Sequence, residues 1–285
     1  MPAQPRTEAI AKVPFLFGAA RAVALPGPVL VRLMTELGGT QAAAKGLLHR
    51  LVRYGQLSLT RHGRVGVYRM AGDMLRGFEA LRGEMTVPPE PAGWDGRFHM
   101  LVYDIPEVRR DFRDMFRGAA QRNGYRQLRA GVLVSPYDHT GDPSDLSEVI
   151  SRIRDTDGMV LEAGWWEPEN AADVFDRAWQ LAEVADRFRR VAAGMRRTAA
   201  EAHRLSGEDA LVALHEASGE AYLAMLSDRP VPDDVLPADW PRPELMAALA
   251  ELNQRLWPVA ARHVAEVIAE SGHADLVEAD PAWPA

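Results

Sequence analysis

The 285-residue chain contains no cysteine. Disulfides, thiolate metal sites and cysteine nucleophiles are therefore excluded, and the composition fits a reducing, cytoplasmic setting. No apolar run approaches the roughly 18 residues needed to cross a bilayer. The first residues are polar, with Pro and Arg, and lack the continuous apolar core of a signal peptide. The eight histidines show no metal-ligand spacing. No phosphate-cradling Gly-rich loop follows a strand, and no Gly-x-Ser-x-Gly elbow is present. The expectation is a protein with no cofactor, no metal and no catalytic residues, rather than an enzyme.

What is present is a globular composition, 47% apolar, in a length that suggests two or three domains. The net charge is -7, which argues against a general nucleic-acid coat, but the charge is unevenly placed. Up to residue 85 there are 12 basic residues against 5 acidic ones, so the remainder carries a net -14. A basic head on an acidic body is the asymmetry of a modular DNA binder.

Within the head, Leu30, Val31, Leu33, Met34 and Leu37 repeat at helical spacing after Pro28, which suits a first helical turn. Gly38 and Gly39 end that helix and permit a sharp turn. Thr40 is a suitable N-cap for the next helix, which is expected to bury Ala43, Ala44, Leu47, Leu48 and Leu51. Its other face carries Gln41, Lys45, His49, Arg50 and Arg53, with Gln41, Lys45 and His49 forming one stripe. Gln can bond adenine edges, and Lys guanine edges, in the major groove. Leu57, Leu59, Val65, Val67 and Met70 then alternate as a hairpin around Arg61-His62-Gly63-Arg64. Arg61 and Arg64 at its tip are placed to meet phosphates or the minor groove. Helix, turn, capped helix and basic hairpin make a winged helix-turn-helix. Phe15, Leu16, Phe17 and Ala20 belong to a first helix beneath it.

Pro88, Pro89, Pro91 and Gly93 mark a linker. Beyond it the patterns predict a strand over 98–103, a helix after Pro106, strands over 126–128 and 131–135, a helix over 142–154 and a strand over 159–163. The order β-α-β-β-α-β is ferredoxin-like. From Asn170 onward the pattern is helical, with long amphipathic stretches and a proline-rich loop. The expected fold class is thus α+β multidomain. A winged helix-turn-helix over 1–86 is followed by a linker over 87–93, a ferredoxin-like domain over 94–166 and an all-α domain over 167–285. The last would dimerise, sense an effector, or both.

Trp94-Asp-Gly-Arg before a strand, Asp104-Ile-Pro-Glu-x-Arg-Arg, and Gly131-x-x-x-Ser-Pro136 resemble the PaaX family, repressors of the phenylacetic acid degradation type. Trp179-x-Leu-Ala-x-x-Ala-x-Arg-Phe and Leu236-Pro-Ala-Asp-Trp-Pro241 resemble that family's C-terminal segment. The resemblance covers nearly the whole chain. It implies a cytoplasmic transcriptional repressor that binds a double-stranded, inverted-repeat operator as a homodimer and releases it on binding an aryl-CoA or acyl-CoA thioester. Two departures stand out: Thr40, Ala42 and Lys45 occupy places where the family tends to carry Ser and arginines, and the run before the second helix is shorter. Operator sequence, and the effector, are expected to differ accordingly.

Arg109, Arg113, Trp165, Trp166 and Trp240 are the candidates for an effector site, with arginines for phosphates and tryptophans for an aromatic group. Asp111 and Asp114 lie among those arginines, so a salt-bridged solvent face is the competing reading. The middle segment also resembles the small CRISPR-associated nuclease subunits, through Tyr103-Asp104-Ile105 at a strand end. The alternative function is therefore a metal-dependent nuclease using Asp104. A lone carboxylate supplies little of what such hydrolysis needs, and capping of the helix near Pro106 is the simpler role for Asp104.

Overall fold

The computed structural model describes residues 4–86, 94–137, 146, 150–151, 162–225 and 231–282. In chain order the elements are α1 (Gln4–Ala19), β1 (Ala22–Pro26), α2 (Gly27–Glu36), α3 (Gln41–Arg53), β2 (Leu57–His62), β3 (Val65–Met70) and α4 (Gly72–Thr86). There follow β4 (Phe98–Val102), α5 (Arg110–Arg122), β5 (Arg126–Arg129), β6 (Val132–Ser135) and β7 (Glu162–Trp166). The last are α6 (Ala171–Trp179), α7 (Leu181–Glu201), α8 (Gly207–Met225), α9 (Arg242–Glu270) and β8 (Glu278–Ala279). The fold is mixed α+β with two antiparallel sheets. The chain divides into two compact units that interleave in sequence.

The first unit comprises Met1–Pro89, Val191–Tyr222 and Glu244–Ala285. Its sheet has the order β2-β3-β1-β8. Apolar side chains at helical spacing bury one face of each head helix: Val29, Leu30, Leu33 and Met34 from α2, and Ala44, Leu47, Leu48 and Leu51 from α3. Ala43, expected inside, is exposed. It lies in the first turn of α3, four residues before Leu47, at the exposed end of that face. Neither β1 nor β8 is marked by alternation in the sequence, since β1 is nearly all apolar and β8 has two residues. Residues 278–280 nonetheless lie against the head: β8 pairs with β1, and the Asp280 amide donates to the Arg21 carbonyl at 2.8 Å. Arg82 pairs with Asp280 at 2.7 Å, Arg32 with Glu270 at 2.8 Å, and Arg69 with Glu278.

The second unit comprises Glu90–Arg190 and Leu223–Pro243, and its sheet has the order β5-β6-β4-β7. Strand alternation gives the sheet two apolar faces. On one, Leu101, Tyr103 and Leu133 meet Phe116, Ala119 and Ala120 of α5, together with Leu146. On the other, Phe98, Val132 and Val134 meet Val174, Phe175 and Trp179 of α6, with Trp94, Trp166 and Trp240 packed around them. Gly131 is required where it stands. Its amide has a positive φ of 76°, and a Cβ there would come within 2.8 Å of the Tyr103 carbonyl.

The final strand runs over Glu162–Trp166, past the expected end at 163, which takes both tryptophans into the sheet; 159–161 of the expected strand lie outside the described residues. They therefore point to opposite faces. Most of the expected helix over 142–154, and the linker over 87–93, lie outside the described residues. Residues 146, 150 and 151 are helical, and Leu146 is buried as expected. The Trp94-Asp-Gly-Arg motif has a local structural role. The Trp94 indole donates to the Arg97 carbonyl at 2.8 Å, and Asp95 accepts from the Arg97 amide at 2.9 Å. Arg97 pairs with Glu167 at 2.7 Å and lies 4.7 Å from the Trp165 ring centroid.

Replacing fully buried Leu48 with Ala should destabilise the first unit by about 2–5 kcal/mol. Thr40→Ala should cost about 1 kcal/mol through loss of its cap bond. Both are read as shifts in urea midpoint without a change in slope. Trp166→Ala should lower the melting temperature of the second unit well below that of Trp165→Ala, because only Trp166 packs into the core.

Candidate nucleic-acid interface

The turn between α2 and α3 is built by backbone requirements. Gly38 adopts a φ of +82°, and its amide donates to Thr35 while that of Gly39 donates to Met34. The chain thus reverses in three residues, 38–40. Thr40 then caps α3, its hydroxyl accepting from the Ala43 amide at 3.1 Å. With the buried face of α3 fixed by Leu47, Leu48 and Leu51, the opposite face is determined. Gln41, Lys45, His49, Arg50 and Arg53 are all exposed, and Ala42 and Ala43 lie beside them as small residues. Arg53 donates to the Tyr54 hydroxyl at 3.1 Å and lies 5.1 Å from its ring centroid. Tyr54 is 66% exposed, a large aromatic at the end of the basic stripe that the sequence pattern treats only as turn.

The hairpin follows directly. Six paired positions, from Leu57↔Met70 to His62↔Val65, leave Gly63-Arg64 as a two-residue turn. Arg61, His62 and Arg64 are exposed at its tip. The eight expected DNA-contacting residues therefore fall on two exposed surfaces of one unit, the outer face of α3 and the tip of β2-β3.

The cations of the head divide by partner. Arg32 pairs with Glu36 and Glu270, Arg69 with Glu278, Arg76 with Asp73, and Arg82 with Asp280. Lys45, Arg50, Arg53, Arg61 and Arg64 form no ion pair among the described residues. The Arg32 guanidinium is held above its ordinary pKa, first by hydrogen bonds to Glu270 and Glu36. Sequence spacing could not reveal partners lying 198 to 238 positions away.

The effector candidates do not converge. Arg113 pairs with Glu107 at 2.7 Å, and that contact raises the arginine and lowers the carboxylate from their ordinary pKa values. Arg109 is exposed in the turn before α5. Arg110 lies 3.9 Å from Asp114, so this segment is a salt-bridged solvent face. Trp165 is 62% exposed and stacks on Arg97. Trp166 and Trp240 pack into the core on the opposite face of the sheet, Trp166 with its centroid 6.2 Å from that of Phe98 and Trp240 5.8 Å from Phe188.

Asp104 does not take the expected capping role. The N-cap positions of the turn Glu107–Arg109 and of helix α5 are Pro106 and Arg109, whose side chains carry no acceptor, and neither start has a side-chain cap bond. Asp104 is exposed, and among the described residues no group of three or more His, Asp or Glu side chains is arranged to hold a metal.

Two family models match the chain: the PaaX protein central Cas2-like domain over residues 91–157 and the PaaX-like protein C-terminal domain over residues 179–266. Together they cover more than half of it. No curated protein matches. Among solved structures, the chain is similar to the uncharacterized protein Rv0674 from Mycobacterium tuberculosis. The identity is 23% and the TM-score 0.55, over 91% of this chain and 96% of that one. At this identity the likeness is one of fold. The two matched segments, in sequence order and carrying the Trp94, Gly131 and Trp179 motifs, establish that the chain belongs to the PaaX family, with a Cas2-like central domain.

Proposed function

We propose that this protein is a sequence-specific DNA-binding transcriptional repressor. Its family is generally one of transcriptional regulators. The observation that carries the reading is the placement of the head's cations: Lys45, Arg50, Arg53, Arg61 and Arg64, on α3 and the hairpin tip, form no ion pair among the described residues, while Arg32, Arg69, Arg76 and Arg82 elsewhere in the head do. Cations held in ion pairs contribute little to counterion release on DNA; unpaired ones contribute fully. Residues 1–86 act as a winged helix-turn-helix, α3 entering the major groove and the β2-β3 hairpin lying along the backbone or minor groove. The strand order β5-β6-β4-β7 supports a ferredoxin-like reading of residues 94–166, and residues 167–285 form the helical remainder.

Gln41 and Lys45 read base edges. Arg50, Arg53, Arg61 and Arg64 contact phosphates, and Thr40 and His49 flank them. Ala42 and Ala43 leave room for the helix to approach the bases closely. The repressor acts in the cytoplasm as a homodimer on an inverted repeat, with half-sites spaced by one or more helical turns. An aryl-CoA or acyl-CoA thioester releases it by altering the spacing of the two heads.

The test is a gel-shift comparison on duplexes selected by the intact chain from a random pool. Lys45→Ala should lose about 1–3 kcal/mol of discrimination against mismatched sites while keeping non-specific affinity. Arg64→Ala should weaken binding to all duplexes alike and reduce the salt slope by about one. Unchanged specific and non-specific binding in Lys45→Ala would remove α3 as the reading helix.

A further inference from the structure

The β2-β3 hairpin buries little of itself. In β2 only Leu57 is buried, and Ser58 to His62 are all exposed; in β3 only Val67 and Met70 are buried. An isolated two-stranded hairpin is marginal at best in water. Its direction is therefore set by what holds its root.

Residues 278–282 meet that root in three ways. First, β8 extends the hairpin's own sheet, which runs β2-β3-β1-β8. Ala279 stands opposite Ala22 and Glu278 opposite Ala24, while Leu25 and Pro26 of β1 stand opposite Tyr68 and Val67 of β3. Second, Glu278 pairs directly with Arg69 of β3. Third, the Asp280 carboxylate lies 2.7 Å from Arg82 of α4. Helix α4 begins at Gly72 and β3 ends at Met70, so a single residue joins the two.

Asp280 is the most tightly held of these residues. Its amide donates to the Arg21 carbonyl at 2.8 Å, one carboxylate oxygen takes Arg82, and the other accepts from the Ala282 amide at 2.9 Å. Its side chain is 11% exposed, against 54% for Glu278. Arg21, at the corner between α1 and β1, holds a φ of +47°. A non-glycine residue persists in that conformation only where its surroundings fix it, and here the Asp280 amide binds its carbonyl.

We propose that residues 278–282 brace the DNA-contacting hairpin, with Glu278 and Asp280 as positioning residues for Arg61 and Arg64. The inference rests on the DNA-binding reading. It adds that the head is not a self-contained module over 1–86: the reach of the hairpin to the duplex depends on two carboxylates about 200 positions away in sequence. Carboxylates repel phosphates, so both act through the hairpin rather than on DNA.

The test is the salt dependence of duplex binding by Glu278→Gln, Asp280→Asn and the double variant, each in the full chain. Removing carboxylates from a head that binds a polyanion would by itself tighten binding and steepen the slope. Bracing predicts the opposite sign: weaker binding, and a slope shallower by up to about 1.8 in the double variant as Arg61 and Arg64 lose their phosphates. Arg64→Ala should then weaken the double variant less than it weakens the parent, because coupled sites are not additive. Lys45→Ala should cost the same discrimination in both. Glu278 is exposed, so Glu278→Gln gives a reading even where Asp280→Asn folds poorly. An unchanged or steeper slope would overturn the proposal, as would an undiminished effect of Arg64→Ala, which would leave the segment a purely structural part of the head. Amide hydrogen exchange without DNA separates this failure from that of the regulator reading. Faster exchange confined to β2 and β3 in the double variant supports the brace even in a chain that binds no duplex, and unchanged exchange there refutes it.

Discussion

Which cations of the head find a carboxylate is the constraint on which its surface depends. Residues 270, 278 and 280 reach Arg32, Arg69 and Arg82, and they do so because β1 is paired on one edge with β3 and on the other with β8. Exposed pairs of this kind add little stability each, and the Arg82–Asp280 pair is the more sheltered of the three. Their larger consequence is electrostatic. They offset the charge of Arg32, Arg69 and Arg82, while Lys45, Arg50, Arg53, Arg61 and Arg64 on α3 and the hairpin tip form no ion pair among the described residues. A net excess of cations counted along the sequence overstates the charge available to a polyanion; the spatial arrangement gives the smaller and better placed set.

The second sheet is arranged under a different constraint, the need to cover two apolar faces. Helix α5 and Leu146 cover one, while α6, Trp94, Trp166 and Trp240 cover the other. Aromatic residues that look suited to a ligand thus act as core. Phe98, Phe175 and Trp179 lie within 4.8 to 6.5 Å of one another, centroid to centroid, and tilted aromatic contacts of this kind stabilise beyond simple burial. Covering that face also packs α6 against β5.

Much of the head was legible in the sequence. The spacing of Leu47, Leu48 and Leu51 fixes the buried face of α3 and hence the stripe opposite, and Thr40 is the cap its position suggested. The alternation around Gly63-Arg64 marks the hairpin. What was not legible depends on distant partners. Strand β1 is a short apolar run with no period, and β8 is too short to carry a pattern, so the sheet edge they share is invisible locally. The continuation of β7 to Trp166 separates the roles of Trp165 and Trp166, because successive residues of a strand face opposite sides of the sheet.

The most direct measurement of the central claim is the salt dependence of duplex DNA binding by the intact chain, followed by fluorescence anisotropy. With Arg50, Arg53, Arg61 and Arg64 on phosphates, the logarithm of the binding constant should fall linearly with the logarithm of salt concentration, with a slope of about −3.6 per head. No duplex binding at low salt, or a slope near zero, would contradict it.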